Sequence, residues 1–305
     1  MSTPPSLPEV HAFWNTEPCG THFVPPAADP CEFYERLRTY RDATEWHLPE
    51  LVPFAETKGC RLLEIGTGHG ADGARFAQHG AVYTGVDLTE AAIDSARRHF
   101  ACLGLAGTFQ KENAEALSFT DASFDWVYSH GVLHHTPDPQ QAVREVHRVL
   151  KPGGRAVVML YHRRSFNYLV RIQGYLRARV LLKILSRIGR WASDRQKIHP
   201  PEGVRGNAHP RVWDLHYRNF LSHGWRYLRA RNFAHHATDG PECPVAHAFS
   251  RAEAAALFSQ FASVRMEVAH LPISRYWSWF PRPLERPLAR WLGWYLFLFV
   301  QKNTP

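Results

Sequence analysis

A short apolar run that ends in glycines carries the clearest chemical signal in the chain. Residues 62–65 read Leu-Leu-Glu-Ile, and glycines follow at positions 66, 68 and 70. This pattern predicts a buried strand, a sharp turn and then a helix over 71–78. Because glycine leaves no side chain between the backbone and a ligand, the turn is a candidate cofactor loop.

Two cofactors fit such a loop. The spacing Gly66-x-Gly68-x-x-Ala71 matches the dinucleotide fingerprint, in which a pyrophosphate lies at a helix N-terminus. S-adenosylmethionine (SAM) fits equally, and Glu64 favours it because a carboxylate at the strand end can meet the ammonium group of SAM. Asp87, at the end of the second predicted strand, suits the ribose of either cofactor. The alternatives are a solvated strand end for Glu64 and a helix cap for Asp87.

The candidate proton acceptors are two adjacent histidines. His134 and His135 follow the fourth predicted strand, at the edge where parallel sheets bind ligands. Imidazole has a pKa near ~6.5, so either could take a proton from a hydroxyl group; the alternative is a role in packing and loop structure. Tyr161, at the end of the fifth strand, is the next candidate, followed by His162. No H-E-x-x-H spacing occurs, and we expect no metal site.

The elements that position these residues alternate between strand and helix from residue 61 onward. Strands are predicted over 61–65, 81–86, 108–110, 124–129, 155–161, 264–269 and 294–302. Helices are predicted over 32–40, 45–54, 71–78, 90–100, 139–150 and 250–261. Such alternation is typical of a doubly wound parallel sheet. We predict an α/β fold with a mainly parallel, seven-stranded, Rossmann-like sheet and a helical insertion after strand five.

Composition shifts divide the chain into four parts. Residues 1–44 form a proline-rich N-terminal arm or lid, and the aromatics within 13–23 predict that it docks on the body over the cofactor. Residues 45–162 form the cofactor-binding core, and residues 163–240 form a basic helical insertion or cap. Residues 241–305 complete the sheet and carry an aromatic tail at 276–280 and 291–299.

Composition also predicts the compartment. The five cysteines are scattered, odd in number and never spaced C-x-x-C, so we expect a reducing cytosol, no disulfide and no zinc-cysteine site. The longest apolar run, 294–300, falls short of the roughly 20 residues that span a membrane, and no signal peptide is visible. We expect a cytoplasmic protein that is at most peripheral to a membrane.

Six segments in register resemble the class I SAM-dependent methyltransferases, and above all the branch that includes the ubiquinone and menaquinone methyltransferases. The resemblance covers about residues 45–162 and returns at 250–270. A nicotinamide enzyme would not need the last three segments, so the resemblance selects SAM. The segments are Leu62 to Gly70, Gly85 to Leu88, Asn113 to Leu117, Ser123 to Val127, Gly131 to His135 and Arg148 to Gly154.

The resemblance implies SAM as cofactor and a role for each matching residue. Asp87 would hold the ribose and Leu88 would pack on the adenine. Asn113, with Ala114 beside it, stands where the family usually has Asp, and its carbonyl can still accept from the adenine amino group. The residues that would line the methionine and ribose side are Glu64, Gly66, Thr67, Gly68 and Gly70, with Ser129 and His130 flanking the methionine.

The net charge of +8 is concentrated in one segment. Residues 162–232 hold 16 Lys or Arg against three acidic residues, a net charge of +13. A helical cap over the active site is the favoured interpretation. An in-plane membrane helix is the second, because positions 180, 181, 184, 185, 188 and 191 share one apolar arc. A nucleic-acid groove is the least favoured, since no recognition module is present.

We therefore predict a SAM-dependent methyltransferase that acts on a small or lipid-like acceptor, with oxygen as the methylated atom. Its catalytic candidates are His134, His135 and Tyr161, and its partner beyond the acceptor would be a membrane surface. The alternatives are a non-catalytic SAM-binding sensor or scaffold at a membrane or partner surface, and an RNA-directed methyltransferase.

Overall fold

The computed structural model describes residues 5–16, 19–195, 212–276 and 279–304. Parts of the predicted arm, insertion and aromatic tail, including Trp277, lie outside the described residues. Within them, the strands are β1 (Arg61–Ile65), β2 (Val82–Asp87), β3 (Thr108–Lys111), β4 (Phe124–His130), β5 (Leu150–His162), β6 (Ala248–Phe249), β7 (Ser263–Ala269) and β8 (Tyr295–Gln301).

The strands form one sheet in the order β3-β2-β1-β4-β5-β8-β7, with the two-residue β6 paired to β5. Neighbours from β3 to β5 are parallel, and β8 runs antiparallel to both β5 and β7. The prediction of a mainly parallel, seven-stranded sheet is confirmed: seven strands follow one another in this order, and β6 is an additional short strand at its side. β5 begins five residues before the predicted start, because the Lys151-Pro152-Gly153-Gly154 segment extends the strand instead of forming a loop.

Helices cover both faces of the sheet. Alternate strand residues supply the two cores: Leu62 and Val157 pack on one face, whereas Leu63 and Val158 pack on the other. Among the described residues, the helices are α1 (Leu7–Asn15), α2 (Pro30–Thr44), α3 (Leu48–Leu51), α4 (Ala71–Gln78), α5 (Glu90–Cys102), α6 (Pro139–Val149), α7 (Arg177–Leu185), α8 (Trp191–Arg195), α9 (Val212–His223), α10 (Ala230–Thr238), α11 (Arg251–Leu257), α12 (Ile273–Tyr276) and α13 (Arg282–Leu292).

Two predicted helices are shorter in the structure. The prediction over 45–54 is wrong, because only α3 forms there and a 3-10 turn follows at Phe54–Thr57. Pro53 lacks the N–H group that an α-helix requires at that position. The predicted apolar helix over 180–191 is also broken: α7 ends at Leu185, and a 3-10 turn that contains Gly189 separates it from α8.

The insertion presents two different faces. It begins with a π-helical segment, Asn167–Leu176, that continues into α7. Val180 and Ile184 are buried, while Leu182 and Ile188 are 66% and 62% exposed. The apolar positions predicted to share one arc are thus divided between the core and the surface. In the described parts of the chain, no helix has both the length and the apolar character to cross a membrane.

The expectation that no disulfide forms is wrong. Cys31 in α2 is bonded to Cys102 in α5, with Cα atoms 5.5 Å apart. The two residues are 71 positions apart in sequence, so only the packing of α2 on α5 brings them together. The disulfide fastens the N-terminal arm to the cofactor-binding core.

Because this disulfide closes a long loop, it restricts the unfolded chain. We expect Cys31→Ser to lower the free energy of unfolding by about 2–4 kcal/mol, measured by urea denaturation under non-reducing conditions. Cys60→Ser is the matched control, because Cys60 is a partly exposed cysteine outside any disulfide. Equal stability of Cys31→Ser and the wild type would contradict the assigned pairing.

Candidate active site

One cavity of about 940 Å³ opens at the carboxyl edge of the sheet. It extends from the glycine loop between β1 and α4 to the ends of β4 and β5. Nine of the eleven predicted cofactor residues line it, namely Glu64, Gly66, Thr67, Gly68, Asp87, Leu88, Asn113, Ala114 and His130. The spacing of the sequence motifs therefore predicts one wall of a real cavity.

Gly66 shows why the loop requires glycine. Its φ of 82° is in the left-handed region, and a Cβ atom there would lie 2.0 Å from Cγ2 of Val132. The N–H groups of Gly66 and Thr67 both donate to the carbonyl of Val86, at 2.7 and 3.0 Å. The loop is thus held against the end of β2, and the segment after β4 can pack directly on it.

Gly70 and Ser129 do not line the cavity. Gly70 is the N-cap residue of α4, where a Cβ atom would lie 3.2 Å from Cβ of Ala96. The hydroxyl of Ser129 donates to the carbonyl of Ile65 at 3.2 Å and so links β4 to β1. Both residues support the cavity wall from the side that faces the protein core. Their contact with the cofactor remains a prediction.

Asp87 shapes the same loop from the end of β2. Its Oδ2 accepts from the backbone N–H of Gly68 at 3.1 Å, and its Oδ1 accepts from both the N–H and the hydroxyl of Thr89 at 3.0 Å. Burial raises the pKa of this carboxyl group despite these donors. Thr89 in turn caps α5. The residue predicted to hold a ribose therefore also orders the loop beneath it.

Glu64 is a buried carboxyl group at the wall of the cavity, 3% exposed. The hydroxyl of Tyr83 donates to its Oε2 at 2.5 Å. Burial and the nearby negative charge of Asp72 raise the pKa of Glu64 to about 8. No ion pair joins Glu64 to a basic side chain in the described parts of the chain. Its position fits a ligand that supplies a positive charge.

Arg41 and Asp72 form a buried ion pair that sequence reasoning missed. Nε and Nη2 of Arg41 donate to the two carboxylate oxygens of Asp72, at 2.9 and 2.5 Å. The hydroxyl of Tyr128 also donates to Oδ2 of Asp72, at 2.8 Å. Burial alone would raise the pKa of Asp72, but Arg41 lowers it below its usual value. No local pattern marks Arg41, because its partner is 31 residues away.

The opposite end of the cavity carries His135, Tyr161 and Asp239. Nδ1 of His135 donates to the carbonyl of Val245 at 2.7 Å, which leaves Nε2 as the free acceptor nitrogen, 3.4 Å from Oδ2 of Asp239. The hydroxyl of Tyr161 donates to the same carboxylate, at 3.2 and 3.3 Å. Asp239, in the loop after α10, is a second residue that sequence reasoning missed.

His134 does not line the cavity. It is fully buried, and its ring packs on that of Tyr161 with centroids 3.8 Å apart. Burial lowers its pKa well below the usual value. His162 is also buried, with Nδ1 donating to the carbonyl of Gly293 at 3.2 Å. Of the two adjacent histidines, His135 is the one that lines the cavity, and the catalytic role of either remains a prediction.

The N-terminal arm covers part of the cavity. Trp14 of α1 lies edge-on to His135, with ring centroids 5.1 Å apart, and Thr21 forms a hydrogen bond with His69 of the glycine loop at 2.8 Å. From the insertion, Arg171 and Trp213 also line the cavity. The arm and two segments of the insertion, around Arg171 and Trp213, are therefore walls of the same cavity.

These features fit SAM. A Cβ atom on Gly68 would meet no atom within 4 Å, so the loop leaves open space on the cavity side for a bound molecule. Glu64 offers a carboxylate for the methionine ammonium, and Asp87 offers one for the ribose hydroxyls. Together with the order of the strands, the site defines a class I methyltransferase fold.

Comparison with known proteins agrees with this assignment of the fold. Residues 63–158 match the family described as Methyltransferase domain. A ubiquinone biosynthesis O-methyltransferase from Coxiella burnetii is 34% identical over 117 residues, which cover 38% of this chain and 50% of the relative. One from Pseudomonas aeruginosa is 35% identical over 130 residues, which cover 42% of this chain and 55% of the relative. The chain spans about half the length of the curated relatives it matches.

Among solved structures, a SAM-dependent methyltransferase from Mesorhizobium loti is 21% identical, with a TM-score of 0.49 and coverage of 85% of this chain and 98% of that chain. The sequence matches and the cavity residues together show that this chain carries a class I SAM-dependent methyltransferase domain. The matched range is similar to the ubiquinone biosynthesis O-methyltransferases, and SAM is the cofactor of this domain.

The raised pKa of Glu64 predicts that SAM binding is coupled to the release of a proton from the protein. With a pKa of about 8, Glu64 is mostly protonated at pH 7, and an ammonium group next to it would stabilise the carboxylate. We expect SAM binding at pH 7 to release close to one proton, which appears as a buffer-dependent enthalpy in calorimetry. Glu64→Gln should abolish the buffer dependence; an unchanged dependence in this variant would contradict the contact.

Proposed function

We propose that the protein transfers the methyl group of SAM to an oxygen atom of a small or lipid-like, largely apolar acceptor. The observation that carries this proposal is the continuity of the cavity. The same space is bounded by Glu64 and Asp87 at one end and by His135 and Tyr161 at the other. A methyl donor bound at the first end and an acceptor bound at the second would meet within one continuous cavity.

The acceptor end favours an apolar molecule with one polar group. Its walls include Trp14 from the arm and Trp294 before β8, with Leu271 and Ile273 nearby. Tyr161 and Trp294 stack with ring centroids 4.3 Å apart and so make a flat aromatic surface. Among these apolar groups, His135 and Asp239 offer a polar point at which an acceptor hydroxyl can be oriented.

SAM supplies a methyl group on a positively charged sulfur. The protein must provide the other requirements of the reaction. The acceptor must be aligned, water must be excluded, and the hydroxyl proton must be removed. Nε2 of His135 can take that proton, because Nδ1 already donates to Val245. Asp239 would stabilise the resulting imidazolium charge, while Tyr161, whose pKa is raised well above 10 by burial, stays protonated and orients Asp239.

The relatives support oxygen as the methylated atom. Those in Coxiella burnetii and Pseudomonas aeruginosa are both described as ubiquinone biosynthesis O-methyltransferases. The family match ends at residue 158, before Tyr161 and before the insertion that lines the acceptor end. A quinol-like acceptor is thus consistent with the relatives, while the acceptor of this chain is determined by segments outside the matched range.

The acceptor can be identified by incubating the protein with methyl-labelled SAM and a lipid-containing cell extract, followed by untargeted mass spectrometry. We expect a labelled, apolar product and stoichiometric release of S-adenosylhomocysteine. SAM binding without release of S-adenosylhomocysteine would favour the alternative of a non-catalytic SAM sensor. Label in RNA would favour the RNA-directed alternative.

Replacement of His135 tests the proton acceptor. We expect His135→Gln to lower turnover of the identified acceptor by about 10²-fold or more, because glutamine cannot accept the proton. SAM affinity, measured by calorimetry, should change little, since His135 lies at the other end of the cavity. His147→Gln is the control, because His147 lies on α6 against Phe261. Full turnover by His135→Gln would exclude this role.

We further propose that the insertion lets a cytoplasmic protein contact an anionic membrane surface at its periphery. Leu181, Leu182, Leu185 and Ile188 are exposed along α7 and the turn after it. The sequence that contains them carries the large positive charge of residues 162–232. Exposed apolar side chains together with basic residues favour adsorption to anionic lipid. The opposite face of α7 is buried through Val180 and Ile184, and the π-helical segment before it lines the cavity through Arg171 and Leu176, which would bring a lipid-like acceptor close to the site.

Liposome flotation tests this contact. We expect the wild type to float with vesicles that contain anionic lipid and the double variant Leu182→Glu/Ile188→Glu to float much less, while both bind SAM equally. Val82→Glu is the matched control, because Val82 is an apolar residue that is 59% exposed in β2, outside the insertion. Equal flotation of the double variant and the wild type would contradict the contact.

A further inference from the structure

A mixed set of possible metal ligands lies behind the acceptor end of the cavity. A ring nitrogen of His135, a carboxylate oxygen of Asp239 and Sγ of Cys243 all lie within 4.8 Å of one another, and Nε2 of His135 is 3.4 Å from Oδ2 of Asp239. His135 belongs to the 3-10 turn after β4, whereas the other two belong to the loop after α10. We propose that these three side chains form a binding site for a zinc-type divalent cation.

The orientation of His135 supports the proposal. The residue is 4% exposed, and its Nε2 is buried without a hydrogen-bond partner. Its other nitrogen donates to the carbonyl of Val245. Metal-ligating histidines usually donate their second ring N–H to such an acceptor, because this fixes the tautomer and the ring plane. The imidazole therefore already presents a fixed lone pair toward Asp239.

Cys243 completes the set. It is fully buried, and its Sγ donates to the carbonyl of Val245 at 3.3 Å. The backbone N–H of Cys243 donates to the carbonyl of Gly240, which closes the loop just after Asp239. Metal binding would require the thiolate, so the thiol proton would be released to solvent and the bond to Val245 would be exchanged for the bond to the metal.

One nitrogen, one oxygen and one sulfur ligand favour zinc over magnesium or calcium, which prefer oxygen alone. In a tetrahedral zinc site, ligand atoms lie roughly 3.5 Å apart. His135 Nε2 and Asp239 Oδ2 are already 3.4 Å apart. Three protein ligands leave a fourth position, and His135 and Asp239 both line the cavity from which a water molecule or an acceptor could fill it.

Binding of the cation would have a consequence for turnover that rests on the proposed function. Zinc on Nε2 excludes the proton that His135 would otherwise accept. The zinc-bound form would then be a second state of the site, in which His135 no longer acts as a base. The binding itself requires neither SAM nor acceptor. The proposal departs from the sequence-based expectation of no metal site, because the three residues are 104 and 4 positions apart and match no metal-binding motif.

Cobalt substitution tests the site directly. Protein with its disulfide intact is freed of metal with a chelator and titrated with Co²⁺. We expect one equivalent per chain to produce a thiolate-to-cobalt charge-transfer absorption that Zn²⁺ abolishes by displacement. Cys243→Ala should lose this absorption, whereas Cys60→Ala should keep it. Cys31 and Cys102 contribute no thiolate, because they are joined to each other.

Asp239→Asn provides a second variant that does not open the buried core. We expect it to keep the absorption and to weaken Zn²⁺ binding by about tenfold or more, measured by competition with a chromogenic chelator. Folded wild type without the absorption, or an undiminished absorption in Cys243→Ala, would overturn the proposal. SAM affinity measured on the same samples reports on the proposed function separately, so failure of one proposal does not imply failure of the other.

Discussion

The buried ion pair between Arg41 and Asp72 is the interaction on which the cavity depends. Two carboxyl groups, Glu64 and Asp72, lie close together beneath the glycine loop, and burial disfavours the charge on both. Arg41 neutralises Asp72 through two hydrogen bonds. Glu64 is left with neutral donors only, and its pKa rises to about 8. One carboxyl group is paired with a basic side chain, and the other is the one that we expect to meet the ammonium group of SAM.

The same ion pair makes the N-terminal arm part of the site. Arg41 belongs to α2, which is also fastened to α5 by the disulfide, and Tyr34 of the same helix forms a hydrogen bond with Ser95 at 3.0 Å. Removal of Arg41 would leave Asp72 as an unpaired buried charge, which is far more costly than loss of an exposed ion pair. The arm is therefore held where Trp14 can contact His135 at the far end of the cavity.

The sequence allowed the sheet and the cavity wall at the glycine loop to be predicted, because both depend on local spacing. The apolar period of β1, the glycines after it and Asp87 at the end of β2 are each visible within a few residues. Arg41, Asp239 and the disulfide could not be predicted, because each depends on a contact between distant segments. His134 and His135 differ only in the direction of their side chains in a 3-10 turn, which neighbouring residues in sequence do not reveal.

The two ends of the cavity therefore differ in how firmly the fold determines them. Glu64 and Asp87 are held by strands whose positions follow from the hydrogen bonds of the sheet, and at the other end His135 and Tyr161 are attached to strands in this way. Trp14 and Asp239 come from the arm and from a loop, and each has its own attachment to the body. An in-line transfer requires close alignment of donor and acceptor. In the proposed reaction, the arm and the loop after α10 would select the acceptor without disturbing the cofactor loop, because neither segment belongs to the sheet.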